Sequence, residues 1–236
     1  MPISEYHVAL WRQWITRPLM MAVFRSLFRL LGTVKVTGLE NVPLGQAYIV
    51  AINHVSTFEA PLVGAFWPER AEALGAAEVW KRPGQGILAR LYGGIPVHRG
   101  EVNRQLFESA LAVLRSGRPL MMAPEGERSH TPGMRQARAG IAIILDEAEV
   151  PVVPVGIVGT TDDYWYKASH GKRPAVEMHI GKPFHLPPLS GQGVDRRETR
   201  QRNADLVMRH IAGLLPEEYR GVYADNVIPP EPVGGI

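Results

Sequence analysis

The stretch Ala47-Tyr48-Ile49-Val50-Ala51-Ile52-Asn53-His54-Val55-Ser56-Thr57-Phe58-Glu59 joins an unbroken apolar run to a polar turn. The apolar part shows no alternation and carries the β-branched Ile49, Val50 and Ile52, the pattern of a short strand buried on both faces. Beyond the turn, residues 58–66 read as a helix. The same rhythm recurs along the chain. Strands are predicted at 33–36, 47–52, 73–75, 95–97, 120–123, 152–157 and 176–180, with helices at about 58–66, 78–92, 102–116, 134–147 and 195–214. Such alternation implies an α/β fold with a mainly parallel central sheet covered by helices. Functional groups in such folds gather at the carboxyl ends of the strands.

His54 and Glu59 stand at one of these ends. Within a single helix, five residues apart, they would diverge by about 140° and share no face. They meet only if His54 precedes the helix. Ser56 is a good N-cap, which leaves His54 in the strand-to-helix loop and Glu59 in the first turn, able to fold back on the imidazole as the orienter of a general base. Ser56-Thr57-Phe58-Glu59 also matches the S-x-x-E capping box, in which Glu59 only satisfies a backbone donor. A histidine after a strand is, besides, often just a hydrogen-bonded loop residue. Local sequence leaves both readings open.

Outward from this centre, residues 5–31 read as helix interrupted near Pro18, with Trp11, Trp14, Leu19, Phe24, Leu27, Phe28 and Leu30 set among Arg12, Arg17, Arg25 and Arg29. This segment suits the headgroup layer of an anionic membrane, or equally the surface of the protein's own core. At the other end, three prolines and two glycines past Tyr223 oppose regular structure. The expected organisation is an amphipathic helical segment at 1–31, one domain at 32–222 and a loose tail at 223–236.

Composition narrows the function classes. The chain has 236 residues, enough for one domain with a substantial core. It has no cysteine, which excludes disulfides, thiolate metal sites and a cysteine nucleophile. The net charge of +3 supports only weak attraction to anionic surfaces. The start lacks a basic region leading into an apolar one, so no signal peptide is expected. The longest stretch free of Asp, Glu, Lys and Arg, at 41–58, carries Asn41, Gln46, Asn53 and His54, so no spanning helix is expected either.

Three further blocks carry unusual residues. Gly93-Gly94-Ile95-Pro96-Val97-His98-Arg99 ends in an arginine just past a short strand. Leu120-Met121-Met122-Ala123-Pro124-Glu125-Gly126-Glu127-Arg128-Ser129 runs from an apolar strand into a polar turn, where Gly126 permits close backbone approach and Arg128 offers a forked donor. Val150-Pro151-Val152-Val153-Pro154-Val155 is apolar. In this order and spacing the four blocks resemble the motifs of the glycerolipid acyltransferase family typified by 1-acylglycerol-3-phosphate acyltransferase, over residues 30–190. The family's N-H-x-x-x-x-D corresponds to Asn53 and His54 with Glu59 in the aspartate position. Its second motif ends in arginine, here Arg99. Its P-E-G-T-R-S corresponds to Pro124 through Ser129, and its fourth, apolar motif to Val152-Val153-Pro154-Val155.

The resemblance implies an O-acyltransferase in which His54 takes the proton of a glycerol hydroxyl while Glu59 holds the ring, with no serine nucleophile. It implies an acceptor-phosphate site at Arg99, Glu125, Gly126, Arg128 and Ser129. The implied substrates are a lysophospholipid, foremost 1-acylglycerol 3-phosphate, and an acyl thioester of coenzyme A or of acyl carrier protein. No cofactor beyond that donor and no metal are implied, and the enzyme is expected at the cytoplasmic face of a membrane, seated through its N-terminal helix. The chain departs from the family pattern in three places. Glu59 is one methylene longer than aspartate, and Glu127 replaces threonine beside the phosphate site. Ala76 and Ala77 precede Glu78 where many relatives carry lysine, so an oxyanion contact is either missing or moved to Lys81.

Other marks carry less. His98 and His130 lack an H-E-x-x-H or comparable ligand spacing with His54. Arg135, Arg138, Arg196, Arg197, Arg200 and Arg202 read as solvated helix faces. The segment 160–166, with Tyr164, Trp165 and Tyr166, either flanks an acyl groove or covers the core. A hydrolase using Ser56 with His54 is a rival, against which stands the absence of G-x-S-x-G. A nucleic-acid module is permitted by the pI of about 9.3 but has no binding motif behind it, and no nucleic-acid partner is expected.

Overall fold

The computed structural model describes residues 6–97 and 104–230. All seven predicted strands are present: β1 (Thr33–Thr37), β2 (Ile49–Ile52), β3 (Glu72–Ala76), β4 (Ile95–Val97), β5 (Leu120–Met122), β6 (Val152–Val158) and β7 (Ala175–Ile180). They form one sheet in the order β1-β7-β6-β2-β5-β3-β4. Every neighbouring pair is parallel except β6 and β7. β2 is central, with Ile52 beside Val155 of β6 and Ala51 beside Met122 of β5.

The side chains of β2 show why both faces must be covered. Ile49 and Ala51 enter one core, Val50 and Ile52 the other, and all four are buried. Fully burying each Val or Ile side chain is worth about 1.5–3 kcal/mol. The first core is closed by α4 (Arg104–Arg115), α5 (Gly140–Ala148) and α7 (Gly193–Gly213); the second by α1 (Arg17–Leu31), α2 (Glu59–Phe66) and α6 (Tyr164–Ser169).

Two helices differ from expectation. The stretch 78–92 is not continuous but a 3-10 turn, Ala77–Lys81, followed by α3 (Gln85–Tyr92). Pro83 between them has no N–H, and Gly84 sits at φ +73°, which only glycine adopts freely. The helix expected at 134–147 starts only at Gly140. The N–H groups of Met134, Arg135, Ala137 and Arg138 are bonded to the Tyr219 carbonyl, the Glu125 carboxylate, the Tyr223 hydroxyl and the Pro124 carbonyl. These distant partners hold 134–139 as an irregular strap across the end of the sheet.

At the N-terminus the interruption near Pro18 takes the form of a π-turn, Arg12–Thr16, running directly into α1. The wider turn puts the Arg17 N–H on the Arg12 carbonyl just before proline, which has no N–H to give. The two faces of α1 differ, one packed on the core and one exposed. Phe28 packs into the core beside Phe66 and Tyr164. Leu19, Val23, Leu27 and Leu30 form an exposed apolar stripe, joined by Trp11, Trp14 and Ile15 and by Ile87, Leu88 and Leu91 of α3. The Thr16 hydroxyl bonds the Leu91 carbonyl, which fixes the two segments side by side. Among the described residues no helix is long and apolar enough to cross a membrane.

Residues 6–31 are nevertheless tied to the rest of the fold. Arg17, with no exposed side chain, forms a bidentate pair with Glu72 at 2.7 and 2.6 Å and donates through Nε to the Tyr92 carbonyl. Arg118 and Tyr6 also bond Glu72, at 2.9 and 2.6 Å. The expected loose tail is likewise partly packed, since Tyr223 is buried and the Ile228 N–H bonds the Arg209 carbonyl on α7. Apolar contacts of Tyr223 and Val227 with the α7 core outweigh the turn-forming composition there; residues 231–236 lie outside the described residues.

Removing the Arg17 guanidinium leaves the buried Glu72 carboxylate with Arg118 and Tyr6 as its remaining partners. Arg17→Ala is expected to lower unfolding free energy by about 2–3 kcal/mol, below the cost of a fully stranded charge, whereas Arg104→Ala, which breaks the exposed pair with Glu108, leaves it unchanged. Urea denaturation of the two variants checks this.

Candidate active site

β6, β2 and β5 are neighbours in the sheet, and their carboxyl ends lead into Thr160, His54 and Glu125. Asn53 locks two of these ends together. Its buried amide continues the β2–β6 pairing, Nδ2 donating to the Ile157 carbonyl at 2.9 Å and Oδ1 accepting from the Ile157 N–H at 2.7 Å. The next residue is therefore presented from a fixed backbone.

The structure brings His54 and Glu59 together, Nδ1 to Oε2, at 3.1 Å. Glu59 has no exposed surface, while a quarter of the His54 side chain reaches solvent. A carboxylate accepts only, so Nδ1 is the donor and Nε2 is left with its lone pair free. The rest of the Glu59 carboxylate is fully committed. Oε1 accepts from the Ser56 N–H at 2.9 Å, the Ser56 hydroxyl at 3.1 Å and the Thr160 hydroxyl at 2.6 Å; Oε2 shares the Ser56 N–H at 3.1 Å. A buried charge is tolerable only with such a set of partners.

Both local readings of the motif hold at once, because Glu59 satisfies the Ser56 N–H as a capping-box glutamate does and orients the imidazole as well. Ser56 is not the N-cap itself. That position is Phe58, whose N–H bonds the Ser56 hydroxyl at 3.0 Å. Ser56 is buried and bonded to Glu59 and Phe58 rather than to His54, which is not the arrangement of a serine nucleophile and its base.

Glu125, expected among the acceptor-binding groups, is only 2% exposed and already occupied by backbone. Oε1 accepts from the His54 N–H at 2.8 Å and Oε2 from the Arg135 N–H at 2.7 Å. Burial raises its pKa to about 7, against the two N–H donors and His54, which pull it down, and with the nearby Glu59 charge adding to the rise. The same turn grips the other side of His54, the Ser129 N–H donating to the His54 carbonyl at 2.8 Å and the His130 N–H to that of Val55 at 3.3 Å. The Ser129 side chain closes the turn on the Thr131 carbonyl. Gly126 is exposed at φ +74°, and a Cβ there would lie 2.7 Å from the Arg138 side chain that crosses it.

Beside the dyad the charge is mostly positive. Glu127 pairs with Arg135 at 3.0 Å and Arg138 at 3.3 Å, so the carboxylate that departs from the family pattern is neutralised within the site. Arg128 is partly exposed and makes no ion pair among the described residues. Lys81 is exposed on the 3-10 turn after β3. His130 pairs with Asp162 at 3.1 Å. Arg99 and His98 lie outside the described residues.

Sequence reasoning gave Thr160 no role, although it opens the segment 160–166. That segment does two things: Tyr164 is buried against Phe28 and Phe58, while Trp165 and Tyr166 are exposed. The only local signal was a hydroxyl just past the end of a predicted strand; that this strand neighbours the one carrying His54 is given by the sheet order.

Comparison with known proteins shows the family. The profile of the acyltransferase family matches residues 33–158, more than half the chain. Lyso-ornithine lipid O-acyltransferase of Pseudomonas aeruginosa is 29% identical over 71% of this chain and 69% of its own length. The mouse 1-acyl-sn-glycerol-3-phosphate acyltransferase alpha is 26% identical over 68% of this chain, and the match spans only 56% of the mouse protein. The crystal structure of the 1-acyl-sn-glycerophosphate acyltransferase of Thermotoga maritima shares the fold with a TM-score of 0.56 and 21% identity, covering 81% of this chain and 79% of that one. The chain belongs to the acyltransferase family, among the glycerolipid O-acyltransferases typified by 1-acyl-sn-glycerol-3-phosphate acyltransferase.

Proposed function

We propose that the protein transfers a fatty acyl group from an acyl thioester, of coenzyme A or of acyl carrier protein, to the free hydroxyl of a lysophospholipid in phospholipid synthesis, foremost 1-acylglycerol 3-phosphate. The observation that carries the reading is the His54–Glu59 pair, whose Nδ1 is held by a buried carboxylate while Nε2 has no hydrogen-bond partner among the described residues. In the reaction Nε2 takes the proton as the hydroxyl oxygen bonds to the thioester carbonyl carbon. The carbon–sulfur bond then breaks and the proton passes from Nε2 to the leaving sulfur. Glu59 stabilises the imidazolium between these steps. Glu125 acts on this reaction by fixing the His54 backbone rather than by touching substrate.

The arginines near the turn support an anionic acceptor. Arg128 is partly exposed and has no ion pair among the described residues, and the pairing of Arg135 and Arg138 with Glu127 lessens its repulsion of a phosphate. Arg99 is proposed for the same role from its place in the second motif. Glu127 also favours a second reading, in which a headgroup bearing an ammonium as well as an anion pairs with that carboxylate. The relative named for lyso-ornithine lipid makes this a specific alternative.

The exposed apolar stripe of α1, with Trp11, Trp14 and the α3 leucines beside it, supports a seat on the cytoplasmic face of an anionic membrane. Trp14 stacks against Arg70 and Trp11 against Arg12, so cations border the apolar surface.

Three outcomes are expected. Following thioester consumption and lipid product together, His54→Ala loses about 10²- to 10⁴-fold in rate, whereas Ser56→Ala retains most transfer; full loss with folded Ser56→Ala would favour the hydrolase chemistry instead. Glu127→Thr raises kcat/KM for 1-acylglycerol 3-phosphate, since it frees two arginines and removes a like charge; a loss confined to lyso-ornithine lipid would establish the second reading. Replacing Trp14, Leu19 and Leu30 together with serine moves the protein from the pellet to the supernatant when sedimented with phosphatidylglycerol vesicles, and does so without lowering the urea midpoint because none of the three is buried.

A further inference from the structure

We infer that Thr160 is a positioning residue of this site: its hydroxyl fixes the plane of the Glu59 carboxylate, so that one oxygen is aimed at His54. The inference rests on the His54–Glu59 dyad proposed above. The terminal torsion of a glutamate is broad, so a carboxylate at the end of three rotatable bonds does not by itself hold the plane that points an oxygen at a neighbour. Here the Thr160 hydroxyl, 2.6 Å from Oε1, and the Ser56 hydroxyl, 3.1 Å from the same atom, anchor one oxygen, while the other meets the imidazole and shares the Ser56 N–H.

Thr160 suits the task because its backbone is fixed from outside the dyad. Three residues earlier, Ile157 is clamped on both its N–H and carbonyl by Asn53. The adjoining Gly159 donates its N–H to the Tyr219 hydroxyl at 3.0 Å. It stands at φ +86°, where an added Cβ would fall 2.0 Å from the Ala175 carbonyl oxygen, so the chain can pass there only as glycine. Thr160 itself is wholly buried. Its hydroxyl is thus delivered to Glu59 from a strand end 101 residues away by a path that Glu59 does not determine. Holding a catalytic constellation in this way, through a second layer of fixed hydrogen bonds, is what keeps such geometry productive.

The test is steady-state kinetics on the full chain with palmitoyl-CoA and 1-acylglycerol 3-phosphate. Thr160→Val keeps the shape and removes the hydroxyl. It is expected to lower kcat roughly 10- to 100-fold, the worth of one hydrogen bond to a charged group, with KM for both substrates little changed. Thr160→Ser restores kcat to near the wild-type value. In the Glu59→Asp background, where the shorter carboxylate withdraws from Thr160, the added Thr160→Val change costs little, a non-additivity that a general loosening of the fold would not produce. Wild-type kcat in Thr160→Val, equal damage in Thr160→Ser, or full additivity with Glu59→Asp would each overturn the inference. If Thr160→Val fails to fold by its urea midpoint, Thr160→Ala takes its place in the same cycle. His54→Ala run in parallel separates the two levels: an active His54→Ala removes the dyad reading itself, whereas an inactive His54→Ala beside a fully active Thr160→Val removes only the role of Thr160.

Discussion

Glu59 carries a charge with no exposed surface, and the arrangement of the site follows from that one constraint. A carboxylate withdrawn from water must recover its lost hydration from protein donors. Four groups supply it: the Ser56 amide and hydroxyl, the Thr160 hydroxyl and the His54 ring. Two come from its own turn and one from the histidine at the end of β2. The last comes from the neighbouring strand β6, so the electrostatics of the dyad and the strand order of the sheet are one requirement. A sheet that placed another strand beside β2 would leave Oε1 without its shortest partner.

The loops are tied at backbone level for the same reason. Asn53 prolongs the ladder from β2 to β6 with its side chain, and Glu125 reaches from the end of β5 to the His54 amide. The second of these is itself a buried carboxylate, raised to about 7 by burial and held by donors from two segments. Its other donor, Arg135, belongs to the strap that brings Arg135 and Arg138 onto Glu127. Positioning the histidine and assembling the basic surface beside it therefore use the same hydrogen bonds.

What was legible in the sequence was whatever depends on local pattern. The strands showed through two local patterns: β1 and β7 alternate, with Val34 and Val36 or Val176, Met178 and Ile180 on the inward face, whereas β2 and β6 are unbroken apolar runs because both of their faces are covered. The dyad showed because its members lie five residues apart across a strand-to-helix junction. What was not legible depends on partners far along the chain. Residues 134–139 have an acceptable helical composition, yet their N–H groups are drawn to Pro124, Glu125, Tyr219 and Tyr223. Tyr223 looked like the start of a loose tail, but its hydroxyl bonds Ala137 and Asp205. Glu125 looked like a ligand-binding group because the motif gives residue types and not their direction. Thr160 could not be connected with Glu59 until β6 was known to lie next to β2.

The N-terminal segment shows the same limit from another side. Its sequence alone supports either core packing or a seat at an interface, because amphipathic patterning reports that one face is apolar and says nothing about what covers it. In α1 two apolar faces are distinct, one covered by the core and one exposed. Phe28 and Arg17 are committed inward, and Leu19, Val23, Leu27 and Leu30 are committed to no part of the described chain's core. The buried Arg17–Glu72 pair makes this division consequential. It fastens the helix to the amino end of β3, so the exposed stripe holds a fixed orientation relative to the sheet, whose central strand β2 carries His54 at its carboxyl end. A surface that engages the stripe thereby sets the direction in which the dyad faces.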